Sequence, residues 1–362
     1  MLEMFKNVDK TLLKRFGIPL GILMILIIVM IIIMAIVGRE DNYDAVRNEL
    51  RRAAERYFYY NEDLLPTEEE PETIVDAETL AAEELIRPLS ELLKDETCTG
   101  EVRVIRNANN FFYFPILNCK SYYNVTIKEA ILKDNEIVES RDGLYESREQ
   151  YVFRGEHVNN YIKFNDGLWR IIRINSDGSI RIIVEEGLEA SVWDDRFNLV
   201  RDDIVGINDY QVSRIRDRIN EVYATFFTED SKGKMLLFDV CYGRRSIRST
   251  NKTGTVDCRQ VDRNRPVDLL RVHEFMYASI DENCRHANSR SCSNYNYFSG
   301  GVRTWSFITD ADSTHRVFSF TGRTFALSTA INEIRIRPVV HISGHLEHIS
   351  GNGTLENPYV IR

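Results

Sequence analysis

Hydrophobic residues near the start of the chain form one long uninterrupted run. Residues 16–37 contain no charged or amide side chain over 22 consecutive positions. A helix needs about 20 such residues to cross the hydrocarbon core of a bilayer, whereas the apolar part of a cleaved signal peptide is only roughly 7–15 residues long. The run therefore predicts a transmembrane signal anchor, with a removed leader peptide as the alternative, and it makes the lipid bilayer an expected partner.

After this run the pattern becomes that of an amphipathic helix. Apolar residues recur at steps of three and four from Tyr43 to Tyr57, between Arg and Glu, as expected for a helix with one buried face. The helix is predicted to continue the membrane helix outward and to end near residues 61–66. The acidic stretch 67–72 is expected to be a solvated loop. A second helical stretch is predicted over 76–93, where Asp76 is a candidate N-cap and Pro88 bends or divides it.

From residue 98 onward the pattern favours strands. Residues 101–106 alternate, and residues 111–119 are rich in aromatic and β-branched side chains, so the two runs predict a hairpin tied by Cys98 and Cys119. Residues 38–150 are thus predicted to form a helical stem with a small β-hairpin unit.

Residues 151–362 are predicted to form a separate head domain. Segment 161–186 contains three short apolar runs joined by Asn-Asp-Gly and Asn-Ser-Asp-Gly, which predicts a β-meander. Segments 209–227 and 267–279 predict two helices, the first with Ile215, Ile219, Val222, Tyr223 and Phe226 on one face. The tail alternates short β runs with glycine-containing turns. The expected fold class is α+β, with a transmembrane helix, a helical stem, a small β unit and a head of twisted antiparallel sheets with two helices.

The cysteines decide the predicted orientation, because basic residues flank the apolar run about equally on both sides. All six follow the run, and an even number that pairs between neighbours suits disulfides in an oxidising exterior. Residues 1–15 are therefore expected in the cytoplasm and the bulk of the chain outside the cell. Reduced thiols in a cytosolic domain are the alternative. The cysteines are Cys98, Cys119, Cys241, Cys258, Cys284 and Cys292.

Composition and motifs limit the classes of function expected for this chain. A formal net charge of −9 argues against general nucleic-acid binding. The common hydrolase, nucleotide-binding and metalloprotease motifs do not occur, and no cofactor is expected. His341, His345 and His348 have the spacing of a metal site on a helix. Because the surrounding residues predict a strand followed by a turn, no metal site is expected there.

The order of motifs in residues 151–362 resembles a family of bacterial exported modules of unassigned function. This family is similar to the formylglycine-generating-enzyme and C-type-lectin-like superfamily. The resemblance implies a bacterial origin and a compact α/β head in which two helices flank twisted antiparallel sheets. The motifs are GLWRIIRINSDGSIRIIVEE (167–186), SRIRDRIN (213–220), VDLLRVHEFMYAS (267–279), CSNYNYF (292–298), TWSFIT (304–309), IRIRPVVHIS (334–343) and GNGTLENPYVI (351–361).

Two further implications follow from resemblance. The stem is similar to that of type IV pilins, which implies a homo-oligomer assembled through residues 16–60, although the run contains Pro19 and lacks the acidic residue of pilins. The likeness to formylglycine-generating enzymes implies reactive cysteines, for which Cys284 and Cys292 are the candidates by position. A disulfide-closed surface loop is the simpler interpretation of that pair.

Two segments are candidate binding surfaces. Residues 232–271 contain ten Lys and Arg residues but only four Asp residues. This excess of positive charge could bind an anionic polymer. The aromatic segment 295–305 could stack on a sugar ring. Local charge pairing and core packing are the respective alternatives. The candidate ligand-binding residues are Arg244, Arg245, Arg248, Tyr295, Tyr297 and Trp305.

Together these features predict a membrane-anchored cell-surface binding or adhesion protein rather than an enzyme. Its lectin-like head is expected to recognise a protein or a glycan. A pilin-like subunit of a surface filament and a formylglycine-type oxidoreductase are the alternatives.

Overall fold

The computed structural model describes residues 18–93, 97–120 and 122–362, without the side chains of residues 18–22 and 31–41. The chain divides into two compact units. Unit 1 contains the described residues up to Arg106 together with Asn110–Tyr123, and unit 2 contains Asn107–Asn109 and Asn124–Arg362. Residues 124–150, which the sequence assigned to the stem, therefore belong to the same unit as the predicted head.

Unit 1 is a helix packed on a three-stranded sheet in the order β1-β2-β3. The helix ends at Tyr60, as predicted, and Asp76 caps the next helix by accepting a hydrogen bond from the Thr79 amide at 2.6 Å. Pro88 divides the predicted second helical stretch, also as expected. The elements are α1 (Ile18–Tyr60), α2 (Ala77–Ala82), α3 (Leu89–Leu92), β1 (Glu72–Asp76), β2 (Cys98–Asn107) and β3 (Asn110–Cys119).

The predicted helical stem is wrong. The described residues of α1 after position 41 do not stand free, because their apolar stripe is buried against the sheet of unit 1. Val46, Leu50 and Phe58 pack with Val102 and Val104 of β2 in this core. The same periodicity that predicted a helix thus supplies one layer of a small helix-on-sheet unit.

The predicted membrane anchor is also contradicted. Among the residues that the structure describes, no helix is both long and apolar enough to span a bilayer. The single-pass placement over 16–37 is corrected accordingly, whereas the expectation for residues 1–15 lies outside the described part of the chain.

Unit 2 contains two seven-stranded sheets and one two-stranded ribbon. The first sheet has the order β10-β17-β8-β7-β5-β4, with β6 paired to β7, and the second has the order β12-β11-β13-β14-β15, with β16 and β9 beside β13. The strands are β4 (Gly143–Ser147), β5 (Gln150–Arg154), β6 (Tyr161–Phe164), β7 (Gly167–Ile174), β8 (Ile180–Val184), β9 (Ala190–Ser191), β10 (Met235–Leu236), β11 (Phe238–Arg245), β12 (Gln260–Arg265), β13 (Thr304–Asp310), β14 (Arg316–Phe320), β15 (Phe325–Thr329), β16 (Ile334–Arg335), β17 (Val339–Ile342), β18 (His348–Ser350) and β19 (Val360–Ile361).

The predicted head of antiparallel sheets with two helices needs correction. In the second sheet β13 pairs in parallel with both β11 and β16, so this sheet is mixed. Both predicted helices are present, but a third lies within residues 151–362, and a fourth precedes them in unit 2. They are α4 (Ile127–Asp134), α5 (Arg214–Phe226), α6 (Glu229–Lys232) and α7 (Val272–Ala278). The fold class is therefore α+β with mostly sheet.

Predictions made from short sequence motifs within unit 2 agree with the structure. The β6–β7–β8 meander is confirmed. Its first turn uses Asn165 and Asp166 at positive φ, and its second uses Gly178 at φ 81°, as tight hairpin turns require. Helix α5 buries Ile215, Ile219 and Val222, the face that its periodicity predicted.

Three disulfides link the cysteines between sequence neighbours, as predicted. They join Cys98 to Cys119, Cys241 to Cys258 and Cys284 to Cys292. The first ties the ends of the β2–β3 hairpin. The second joins Cys241 within β11 to Cys258 just before β12 and so restrains the connection between these strands. Each bond closes a short loop and so reduces the conformational freedom of the unfolded chain.

A buried ionic network lies between the first sheet and α7. Glu274 of α7 pairs with Arg173 at 2.7 Å and with Arg181 at 2.6 Å, and Asp268 pairs with Arg181 at 2.9 Å and Arg271 at 2.7 Å. Burial alone raises the pKa of Glu274, but the surrounding guanidiniums outweigh burial and bring this pKa well below its usual value. Glu274 is therefore charged, and both carboxylates have arginine partners.

Candidate functional site

A cleft of about 490 Å³ lies beside the second sheet of unit 2. Strand β11 contributes Tyr242 and Arg244 to its wall, and β13 contributes Phe307. Further lining comes from residues 197–200 and 207–211, which belong to a segment without regular structure before the short 3₁₀ turn Tyr210–Val212. A rigid sheet and an irregular loop thus enclose the cleft, an arrangement typical of binding sites.

Asn198 holds this loop in one conformation. Its side-chain amide donates to the carbonyl oxygens of Gly206 at 2.8 Å and Thr314 at 3.0 Å. Its side-chain oxygen accepts from the backbone amides of Val200 at 3.1 Å and Arg201 at 3.2 Å. The Asn198 side chain is buried, so the loop is organised around one polar residue.

The loop nevertheless presents apolar side chains to water. Leu199 is 87% exposed and Val200 is 77% exposed, and Phe197 and Ile204 are also exposed. We call residues 197–204 the apolar loop. Single exposed apolar residues are ordinary, but a group of four on one ordered loop is typical of a contact surface.

The floor of the cleft is a packed aromatic group with polar links. The ring of Tyr210 lies 4.7 Å from that of Tyr242 and 4.7 Å from that of Phe307. Tyr210 donates a hydrogen bond to Asp262 at 3.1 Å, and Gln211 donates to the Tyr242 hydroxyl at 2.5 Å. Burial, followed by the charge of Asp262, raises the pKa of Tyr210, so this hydroxyl remains a donor and the floor is fixed.

Arg244 is the one predicted ligand-binding residue that lines the cleft. Its Nη2 donates to the backbone oxygens of Ser313 at 2.7 Å and of Asp310 and Ala311 at 3.3 Å each. No carboxylate in the described part of the chain forms an ion pair with this exposed guanidinium. The carbonyl oxygens therefore position a positive charge at the edge of the cleft without neutralising it.

The structure places the other predicted ligand-binding residues elsewhere. Arg245 is buried and pairs with Asp257 at 2.7 Å, and Trp305 is buried with its indole N–H donating to the Ser191 oxygen at 2.8 Å. Tyr297 is buried, whereas Arg248 and Tyr295 are exposed. Those five residues do not line the cleft that contains Arg244.

Much of the predicted basic excess is paired locally. Lys232 pairs with Glu229 and Lys234 with Asp230, both one turn apart. Asp262 forms an ion pair with Arg265, and Asp268 forms one with Arg271. The local-pairing alternative therefore describes these side chains, and the segment does not form one continuous basic surface.

Two of the three histidines that have metal-site spacing make other contacts. His341 stacks on Phe238 with a ring distance of 3.9 Å, and burial followed by the charge of Arg181 lowers its pKa well below the usual value. His348 contacts the Gly351 oxygen at 3.0 Å. Within the described residues, no group of three or more His, Cys, Asp or Glu side chains is arranged to hold a metal ion.

The apolar loop and the aromatic floor were not predicted from the sequence. Residues 197–200 read Phe-Asn-Leu-Val between acidic and basic residues, a run too short to show a helical or strand period. Four apolar residues within eight positions outside any predicted element were the available signal.

Comparisons with protein-family models, curated proteins and solved structures find no match for this chain. The resemblance of residues 151–362 to bacterial exported modules and to the formylglycine-generating-enzyme and C-type-lectin-like superfamily therefore stays a prediction. The geometry of the cleft is the remaining basis for an argument about function.

Proposed function

We propose that unit 2 is a binding module that recognises a partner protein through the cleft and the apolar loop. The exposure of Leu199 and Val200 on a loop held by the buried Asn198 carries this proposal. Hydrogen bonds order this loop but leave its apolar side chains in water. The free chain therefore gains no free energy from burying these side chains. A partner that covers these side chains would gain about 25 cal/mol for each Å² of apolar surface removed from water.

Several contacts favour a polypeptide over a sugar. A sugar ring stacks on an exposed aromatic face, whereas three of the four aromatic side chains that line the cleft, Tyr210, Tyr242 and Phe307, are buried and only Phe197 is exposed. The exposed groups of the apolar loop are mainly aliphatic, and aliphatic groups pack best against other apolar side chains. Arg244 adds an uncompensated positive charge at the cleft edge. The expected ligand is a segment with a large apolar side chain close to an acidic one.

A random peptide library displayed against the full chain tests this proposal. Selected peptides are expected to combine a large apolar residue with Asp or Glu, and the double variant Leu199→Ser, Val200→Ser should bind them at least about tenfold more weakly, since two buried aliphatic side chains are each worth about 1.5–3 kcal/mol. Arg244→Ala should reduce mainly the salt-sensitive part of the affinity.

The matched control is the double variant Ile349→Ser, Leu355→Ser, which removes two other exposed aliphatic side chains of unit 2 outside the cleft. It should bind the peptides like the wild type. Equal binding by the Leu199→Ser, Val200→Ser variant, or selection of peptides without apolar residues, would contradict the proposal. A glycan array that selects one sugar through the cleft would replace the protein partner with a carbohydrate.

A further inference from the structure

Strand β12 lies at one edge of the second sheet of unit 2. It pairs with β11 on one side, and no other described strand pairs with it. Among the described residues, the backbone of residues 260–265 forms no hydrogen bonds other than those with β11. The outer side of β12 therefore presents unpaired N–H and C=O groups, to which another extended segment can bind.

Contacts on its inner side hold β12 in place. The Asp262 carboxylate accepts a hydrogen bond from Arg216 Nε of α5 at 2.9 Å. Cys258, just before the strand, is bonded to Cys241, which is the register partner of Val261. The edge is therefore already ordered in the free chain, and a partner strand loses little free energy in ordering it.

The outer residues of this edge form a row of arginine, valine and arginine. Arg259, Val261 and Arg263 are all exposed, and Val261 is 40% exposed. Because alternate residues of an extended chain share a face, this row lies on the face opposite to Gln260, which lines the cleft. Neither arginine forms an ion pair with a described residue. We call residues 259–263 the basic edge.

Charge at a sheet edge also prevents uncontrolled pairing, and this limits what can occupy the basic edge. Asn264 has φ 53° where the register with β11 shifts, and such a bulge ends regular pairing, so only a short segment fits. A second copy is disfavoured, because antiparallel pairing centred on Val261 places Arg259 opposite Arg263, and like charges directly opposite each other are destabilising. The occupant therefore carries negative charge.

We propose that the basic edge binds an extended acidic segment of a partner protein, which adds to the sheet as a strand beside β12. Backbone hydrogen bonds provide affinity in this mode, and alternate side chains provide specificity. The bound segment has an acidic, an apolar and an acidic residue at alternate positions, opposite Arg259, Val261 and Arg263. The basic edge is outside the lining of the cleft, so this site is independent of the one proposed above.

The peptide Thr-Glu-Thr-Val-Thr-Glu-Thr, with a fluorescent label and an amidated C-terminus, tests the proposal by anisotropy with the full chain. It should bind saturably and more weakly as salt is added, and the same peptide with Lys in place of Glu should not bind. The double variant Arg259→Glu, Arg263→Glu should bind at least about tenfold more weakly, because each change replaces an opposite-charge pair by a like-charge pair.

Two N-methylated forms of the peptide test the backbone pairing. One form is methylated at the amides of both Glu residues, and the other at the amides of the Thr residues that flank Val. Successive N–H groups of a strand point to opposite edges, so only one form should lose binding. Equal binding by both forms would overturn the proposal, because charge alone would then attract the peptide.

The matched control is Arg285→Glu, Arg290→Glu, which makes the same change of charge at two other exposed arginines of unit 2. It should bind the peptide like the wild type, and so should Leu199→Ser, Val200→Ser. A loss in the first control equal to that of the basic-edge variant would show non-specific attraction, and a loss in the second would place the peptide in the cleft. Either result overturns the proposal. Absence of binding also overturns it and would assign the arginines to protection of the edge alone.

Discussion

The apolar loop and the buried ionic network both depart from the usual distribution of side chains. The loop exposes apolar side chains to water, whereas the network buries charged ones. The network places Arg181, Asp268 and Glu274 in the interior, and each carboxylate there has guanidinium partners within 3 Å. The loop places Leu199 and Val200 in water, where no described contact compensates them. The network is explained within the molecule. The loop is not, and for that reason we assign function to the loop rather than to the charges.

The largest expected effect comes from breaking the network. Glu274→Ala leaves Arg173 and Arg181 without their shared carboxylate, and breaking a buried ion pair in this way costs about 3–5 kcal/mol. The free energy of unfolding, measured by urea denaturation, should fall by that amount. Glu221→Ala removes an exposed carboxylate that pairs with Arg218 and should cost about 1 kcal/mol or less. Similar losses in both variants would show that the network is not a structural centre.

Acid should weaken the network before it affects the loop. The pKa of Glu274 is depressed in the folded state from an unfolded value near 4.5. Its contribution to stability is therefore complete above about pH 4.5 and is lost as the pH falls through the folded pKa, at about 1.4 kcal/mol for each unit of depression. Urea unfolding measured at a series of acidic pH values should show that the free energy of unfolding falls less steeply with decreasing pH in Glu274→Gln than in the wild type. Equal slopes would mean that other carboxylates control acid unfolding.

Asn198→Ala should loosen the apolar loop. The substitution removes the hydrogen bonds that order the apolar loop, at an expected cost of about 1–3 kcal/mol. Amide hydrogen exchange at Val200 and Arg201 should accelerate, because their amides lose the side-chain oxygen that accepts from them. Exchange in β7 and β8 should change only as much as global stability does. Unchanged protection at Val200 would show that Asn198 does not hold the loop.

Features determined by neighbours in sequence could be predicted, and these include the β6–β7–β8 meander, the α5 stripe and the three disulfides. Arg244 and Arg245 show where prediction fails. Both were candidate binding residues, but consecutive residues of a strand point to opposite faces, so Arg244 reaches the cleft while Arg245 meets Asp257 in the interior. The sequence does not show which face of β11 is covered.

The prediction of a helical stem was wrong for a related reason. Periodicity predicted α1 beyond residue 41, but not what its apolar stripe packs against, since that partner is a sheet formed by residues 72–119. The apolar loop was missed because a short run such as Phe-Asn-Leu-Val is equally compatible with burial and exposure. In each case the missing information is a contact between residues far apart in the chain.

The smallest expected change in stability distinguishes the two regions most clearly. If Leu199 and Val200 have no structural role, the variant Leu199→Ser, Val200→Ser should unfold within about 0.5 kcal/mol of the wild type, as surface substitutions usually do. Urea denaturation measures this, and Val200→Ser alone should behave the same way. A loss of 2 kcal/mol or more would mean that the side chains are buried in the free protein. The loop would then be part of a core, as the network is, and exposure would no longer be evidence for a partner.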